Sequence, residues 1–65
     1  MTEVKYKDLP GDTIHCVFEN DNMVINKRLS GGYVMMLKHS AGQYKWYLLT
    51  EEEMQARVRF AKGNP

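Results

Sequence analysis

The chain has few of the residues that hold small folds together by covalent or metal links. It contains one cysteine, Cys16, and two histidines among 65 residues. A single cysteine excludes an intramolecular disulfide, and two histidines cannot complete a four-ligand zinc site. No apolar run approaches the roughly 20 residues that a membrane helix requires. The sequence therefore predicts no metal, no cofactor and no membrane span, and a fold that depends on a well-packed core or on a partner.

The overall charge is close to balanced. Nine Lys and Arg residues face eight Asp and Glu residues, which gives a net charge of +1, and 43% of the residues are hydrophobic. This composition predicts one small globular domain over residues 1–65. The start of the chain lacks a basic stretch followed by an apolar one, so we expect a cytoplasmic protein.

Turn-forming residues recur about every ten positions, which is the spacing of a meander of short antiparallel strands. Gly and Asn tolerate positive φ angles and Pro presets a turn, so clusters of these residues mark the connections. The turns are predicted at residues 10–12, 19–22, 30–32 and 40–43, and the strands at residues 13–18, 23–29, 33–39 and 44–49.

The two ends of the chain have different patterns. In residues 1–12, apolar and basic residues alternate briefly, which predicts an N-terminal segment or a short edge strand. After the meander of residues 13–49, the apolar period changes to that of a helix, predicted over residues 50–62. Thr50 and Glu53 have the spacing of a capping box at its start. The predicted fold class is α+β: an antiparallel β-meander of four or five strands with one C-terminal α-helix packed on one face.

The predicted length of the last hairpin loop sets the register of the last two strands. A two-residue loop at residues 41–42 places Lys38 opposite Lys45 and Met36 opposite Tyr47. Directly opposed lysines repel each other unless an anion lies nearby. This pair is therefore predicted either to splay into solvent or to contact a negatively charged partner.

The other two turns set the register of the remaining strands. A three-residue loop at residues 30–32 places Ile25 opposite Leu37, and a four-residue turn at residues 19–22 places Cys16 opposite Ile25. These registers agree on one apolar face, covered by the helix through Met54, Val58 and Phe60. The strand residues predicted on that face are Ile14, Cys16, Phe18, Met23, Ile25, Leu29, Tyr33, Met35, Leu37, Trp46 and Leu48.

The second face of the sheet is predicted to be open, because one short helix cannot cover both sides. It combines an apolar centre with a basic margin. Residues 23–50 contain four basic residues and no acidic one, so this segment carries +4. An exposed apolar patch with a charged rim is typical of an interaction site. The predicted partner-binding residues are Arg28, Val34, Met36, Lys38, Lys45 and Tyr47.

Catalytic chemistry is not expected. His15 and Cys16 are neighbours on a strand and so point to opposite faces, which prevents them from acting as base and nucleophile together. The sequence favours a non-enzymatic protein-binding module that docks on an acidic surface, such as a small inhibitor, adaptor or accessory protein of the kind that phages and mobile elements encode. Two alternatives use the same face: binding of nucleic acid, and a homodimer in which two such faces pack together.

Overall fold

The structure, a computed structural model, describes residues 1–63. Within this range, five strands form one antiparallel sheet and a single α-helix follows the last strand, which confirms the predicted α+β fold with the fifth strand present. The elements are β1 (Thr2–Val4), a 3₁₀ turn (Tyr6–Asp8), β2 (Thr13–Glu19), β3 (Met23–Arg28), β4 (Tyr33–Ser40), β5 (Gln43–Leu49) and α1 (Glu51–Ala61). The order of strands in the sheet is β1-β5-β4-β3-β2.

The β4–β5 hairpin has the predicted two-residue loop but not the predicted register. Ser40 lies opposite Gln43, and Gly42 between them has a φ of 74°, a conformation that favours glycine. A bulge at His39 then shifts the pairing by one residue, so that Lys38 lies opposite Tyr44. The predicted Lys38–Lys45 pair is therefore wrong.

This shift exchanges the two faces of β5, because a slip of one residue turns every side chain to the other side. We call face one the side of the sheet that carries Ile25 and Met35, and face two the side that carries Val24 and Met36. Tyr47 lies opposite Met35, on face one. The predicted faces of Trp46, Leu48, Lys45, Tyr47 and Leu49 are all reversed.

Strand β2 departs from strict alternation at two bulges, one between Thr13 and His15 and one between Cys16 and Phe18. Phe18 consequently pairs with Ile25 on face one, as its predicted core position requires, whereas Cys16 pairs with Asn26 on face two. Cys16 is exposed, and its predicted place in the core is wrong. Ile14, also predicted in the core, is 53% exposed.

The β3–β4 loop begins one residue earlier than predicted. β3 ends at Arg28, and the Arg28 amide donates to the Gly32 carbonyl, so the three residues between them form the turn. Ile25 therefore lies opposite Met35 instead of Leu37, a slip of two residues that keeps both side chains on face one. Leu29 falls in the loop and is exposed, in contrast to its predicted core position.

Helix α1 begins and ends as its sequence predicts. The Glu53 amide donates to Thr50 Oγ1 and the Thr50 amide donates to Glu53 Oε1, which completes the capping box. Met54 and Val58 pack against the core of face one. Phe60 is 80% exposed, so the predicted contact of this residue with the sheet is wrong. The buried core of face one consists of Met23, Ile25, Tyr33, Met35 and Leu49.

The connection from β1 to β2 determines what happens on face two. β1 and β2 are consecutive in sequence but lie at opposite edges of the sheet. The chain must therefore cross the whole sheet between them. Residues 5–12, which we call the crossover, do so over face two, where Leu9 and Pro10 line a cavity together with Val34 and Met36. The predicted open face is covered at its centre.

Candidate protein-interaction surface

The structure separates the six residues predicted to bind a partner into two groups. Four of them lie on face two, and the other two, Lys45 and Tyr47, lie on face one because of the bulge at His39. Tyr47 packs against the core on face one, the face that carries the helix. Lys45 lies opposite Leu37 on the same face. The four residues that remain together on face two are Arg28, Val34, Met36 and Lys38.

The crossover covers Val34, which is only 7% exposed. Leu9 and Pro10 lie above the sheet and leave a cavity of about 210 Å³ over Val24, Asn26 and Val34. The apolar centre of face two, which was predicted to contact a partner, is thus covered by the crossover. A second copy packed face to face would meet the crossover first.

Asp12 fixes one end of the crossover to the β3–β4 loop. Arg28 Nε donates to Asp12 Oδ1 at 3.0 Å, and both the amide and the hydroxyl of Ser30 donate to Asp12 Oδ2. These donors favour the ionised carboxylate, and the hydrogen bond from Ser30, followed by that from Arg28, lowers the pKa of Asp12 to about 2. Arg28 is therefore engaged within the chain and is not a free cation on this face.

Tyr6 fixes the other end of the crossover. Its ring meets Trp46 edge-on, with 5.3 Å between the ring centroids and 64° between the ring planes. This is one of the two arrangements that the aromatic quadrupole favours. Trp46 is half-buried as a result, while Tyr6 itself remains 72% exposed.

Beyond the crossover, the end of face two nearest the β4–β5 loop remains accessible. Lys38 and Tyr44 lie directly opposite each other there, and both are exposed. Met36 and Trp46 form the adjacent cross-strand pair on the same face. We call this surface the tip patch, and it consists of Tyr6, Met36, Lys38, Tyr44 and Trp46.

Two residues of the tip patch, Met36 and Lys38, were predicted from the sequence, and its three aromatic residues were missed. Trp46 and Tyr44 reach this face only because of the bulge at His39, which strict alternation does not anticipate. Tyr6 arrives from the crossover and forms no strand pairing. The one sequence signal available was the clustering of Tyr44 and Trp46 around Lys45.

The residues with chemical reactivity are dispersed. Cys16 pairs with Asn26 on face two and His15 pairs with Lys27 on face one. The Cys16 thiol donates to the Phe18 carbonyl at 3.3 Å. In the part of the chain that the structure describes, no group of three or more His, Cys, Asp or Glu side chains is placed to hold a metal ion.

Comparison with known proteins identifies no relative of this chain. The chain matches no protein-family model, no curated protein and no solved structure. Among residues 1–63, no helix has the length and apolar character needed to cross a membrane.

Proposed function

We propose that this protein is a small non-enzymatic protein-binding module and that the tip patch docks on an acidic surface of its partner. The observation that carries the proposal is the register of the β4–β5 hairpin. It sets Lys38 against Tyr44 and leaves both exposed beside Met36 and Trp46. The crossover borders Met36 and Trp46 but leaves Lys38 and Tyr44 exposed.

The composition of the tip patch is typical of the centre of a protein interface. Tyr and Trp bury large areas with few rotatable bonds and are enriched among residues that dominate binding energy. Methionine adapts its shape to irregular surfaces. Lys38 supplies the positive charge of the tip patch and can pair with a carboxylate of an acidic partner, whereas Lys27 and Arg28 lie at the opposite end of the sheet.

The proposal keeps two of the six residues predicted from the sequence, Met36 and Lys38. Val34 lies beneath the crossover and Arg28 is paired with Asp12, so neither is available to a partner. Lys45 and Tyr47 face the opposite side of the sheet. Tyr6, Tyr44 and Trp46 take their place in the proposed site.

Nucleic-acid binding is the second candidate, and the aromatic residues favour it. Three aromatic side chains on one face beside a lysine can stack on unpaired bases while the cation contacts the phosphate backbone. The net charge of only +1 favours the protein partner instead, because dedicated nucleic-acid binders are usually strongly basic.

The test is a comparison of three immobilised chains in cell lysate, with and without nuclease. The double variant Lys38→Gln/Tyr44→Ala removes the cation and the most accessible strand aromatic of the tip patch. The matched control, Phe60→Ala, removes an exposed aromatic from the helix. We expect a protein retained by the wild type and by the control, and lost by the double variant, whether or not nuclease is present. Affinity for that protein should fall at least about tenfold in the double variant.

Two other results would contradict the protein-binding proposal. Loss of all captured material after nuclease treatment, with a steep dependence on salt, would indicate the nucleic-acid alternative. Equal capture by the double variant and the wild type would show that the tip patch does not bind the captured protein.

A further inference from the structure

The two edges of the sheet differ in how well they are protected. β1 has three residues, whereas β2 has seven, and no other strand within residues 1–63 pairs with the outer side of β2. An exposed edge presents unpaired backbone N–H and C=O groups that can accept another strand, and proteins commonly guard such edges with lysine or proline. β2 contains neither residue, and its two bulges are the feature that restricts pairing at this edge.

The side chains of β2 are also unusually exposed for their type. Six of its seven residues are exposed, and these include Ile14 at 53% and Val17 at 38%. Both residues lie at the bulges, where the sequence inserts one residue more than β3 can pair. Pairing with another strand would bury part of the apolar surface of these β-branched side chains, which stabilises the pairing.

The faces of β2 have a symmetry that fits a second copy of the same strand. Thr13, Cys16 and Glu19 all pair with face-two residues of β3 and are spaced three residues apart. An antiparallel twofold partner centred on Cys16 would set Thr13 opposite Glu19 and Cys16 opposite its own copy. Side chains of the same face then meet, as a continuous sheet requires.

Charge along the edge favours this antiparallel arrangement. Lys27 of β3 lies beside the N-terminal end of β2, where Arg28 is paired with Asp12, whereas Glu19 and Asp21 lie at the C-terminal end of β2. A twofold axis brings the basic end of one copy beside the acidic end of the other. A parallel arrangement would bring like charges together.

We propose that β2 pairs antiparallel with β2 of a second copy, so that two five-stranded sheets join into one sheet of ten strands. The bulges twist the edge and limit the pairing to one short strand. The buried area is then well below the roughly 1,200 Å² of stable complexes, and we expect a dissociation constant of about 10 µM or weaker. The tip patch takes no part in this contact.

Sedimentation velocity from micromolar to millimolar concentration tests the proposal. Val17→Lys and Ile14→Lys each place a charge on the edge at an exposed position, and either should weaken dimerisation at least about tenfold. Phe60→Lys is the matched control, because it replaces the most exposed large apolar side chain on the helix. The control should dimerise like the wild type, and thermal melts establish that all variants fold.

Two results would overturn the proposal. One is a wild-type chain that stays monomeric at millimolar concentration. The other is a dimer that Phe60→Lys or the Lys38→Gln/Tyr44→Ala variant disrupts while Val17→Lys and Ile14→Lys leave it intact. Neither result bears on the tip patch as a site for another protein, which the lysate comparison tests separately.

Cys16 provides a second readout in the unaltered chain. Directly opposed residues of antiparallel strands have Cα atoms about 4.5–5.5 Å apart, a separation that a disulfide can span. Treatment with diamide, which oxidises two thiols to a disulfide as it is itself reduced, should link wild-type and Phe60→Lys chains much faster than Val17→Lys chains. Equal rates of linkage in all three chains would place Cys16 away from the twofold axis and refute the proposed register.

Discussion

Helix α1 covers face one of the sheet, whereas the largely irregular crossover of residues 5–12 covers face two. On face one, Ile25 and Met35 are completely buried. On face two the most deeply buried side chain is Val34, and a cavity of about 210 Å³ remains between the crossover and the strands. The sheet residues beneath the helix are thus buried more completely than those beneath the crossover.

The difference follows from how each cover satisfies its own backbone. A helix pairs its N–H and C=O groups internally and so can lay a continuous apolar stripe on the sheet. The crossover has one short 3₁₀ turn and depends on contacts at its ends, Tyr6 on Trp46 and Asp12 on the β3–β4 loop. We therefore expect stability to reside mainly on face one and local opening mainly on face two.

Two neighbouring methionines offer the sharpest test of this difference, because they have the same chemistry on opposite faces. Met35 is fully buried on face one and Met36 is half-buried on face two. Met35→Ala should lower the free energy of unfolding by about 2–5 kcal/mol, and Met36→Ala by about 1 kcal/mol. Urea denaturation measures both. Equal losses of unfolding free energy would mean that the crossover buries face two as completely as the helix buries face one.

The helix cover depends on its capping box. Thr50→Ala removes the acceptor of the Glu53 amide and should cost about 1 kcal/mol, seen as a fall of several degrees in Tm. Glu53→Gln keeps an acceptor for the Thr50 amide but loses the ion pair of Glu53 with the Met1 amino group. Its effect on Tm should be smaller, since exposed ion pairs contribute little. A larger loss for Glu53→Gln would make the N-terminal contact the main anchor of the helix.

The aromatic contact of the crossover is tested by the fluorescence of Trp46, the one tryptophan of the chain. Tyr6→Ala removes the ring that lies edge-on to it and should cost roughly 0.5–1 kcal/mol. Iodide should quench the folded variant more strongly than the wild type. Phe60→Ala, remote from the crossover, should leave quenching unchanged. If Tyr6→Ala also leaves it unchanged, the crossover does not shield Trp46.

Asp12 gives the smallest effect at neutral pH but a distinctive dependence on pH. Its pKa is about 2 in the folded chain, below the value of about 3.9 in an unfolded one. The ionised group therefore stabilises the fold fully above about pH 4, and this contribution disappears as the pH falls towards 2. The Tm difference between the wild type and Asp12→Asn should be present at pH 5 and shrink steeply as the pH falls towards 2. Asp21→Asn, in the β2–β3 turn, is the control, and a difference as large at pH 2 as at pH 5 would contradict the role given to Asp12.

The helix and the two-residue β4–β5 loop could be predicted because their signals are local. Thr50 and Glu53 have the spacing of a capping box, and Gly42 occupies the one position of its loop with a positive φ angle. Each of these features depends on residues that are neighbours in sequence. The fold class followed from the order of these local patterns.

The faces of β5 could not be predicted in the same way. Trp46 and Leu48 alternate with Tyr47 and Leu49, so either set is apolar enough to face the core. The bulge at His39 decides between them, and nothing in the composition around it marks an inserted residue. Two of the five residues of the tip patch, Tyr44 and Trp46, depend on this one position.

The crossover was missed for a different reason. Its path depends on β1 pairing with β5, which lies more than 40 positions away along the chain. Leu9 and Pro10 have the composition of an ordinary turn, and only the order of strands reveals that they lie over a sheet face. Sequence patterns with short periods do not contain this information.

The pairing of Thr2 with Leu48 has a consequence for the order in which the protein assembles. β1 is the first strand to be synthesised, yet its neighbour in the sheet is the last. Closing so long a loop costs more entropy than closing the hairpins, which join adjacent strands. The hairpins of β2 to β5 can therefore form before β1 pairs with the sheet. β1 can pair, and hold the start of the crossover over face two, only after β5 has been translated. A nascent chain stalled before residue 43 would lack Trp46 and the β1–β5 pairing, and only the Asp12 end of the crossover could be held in place.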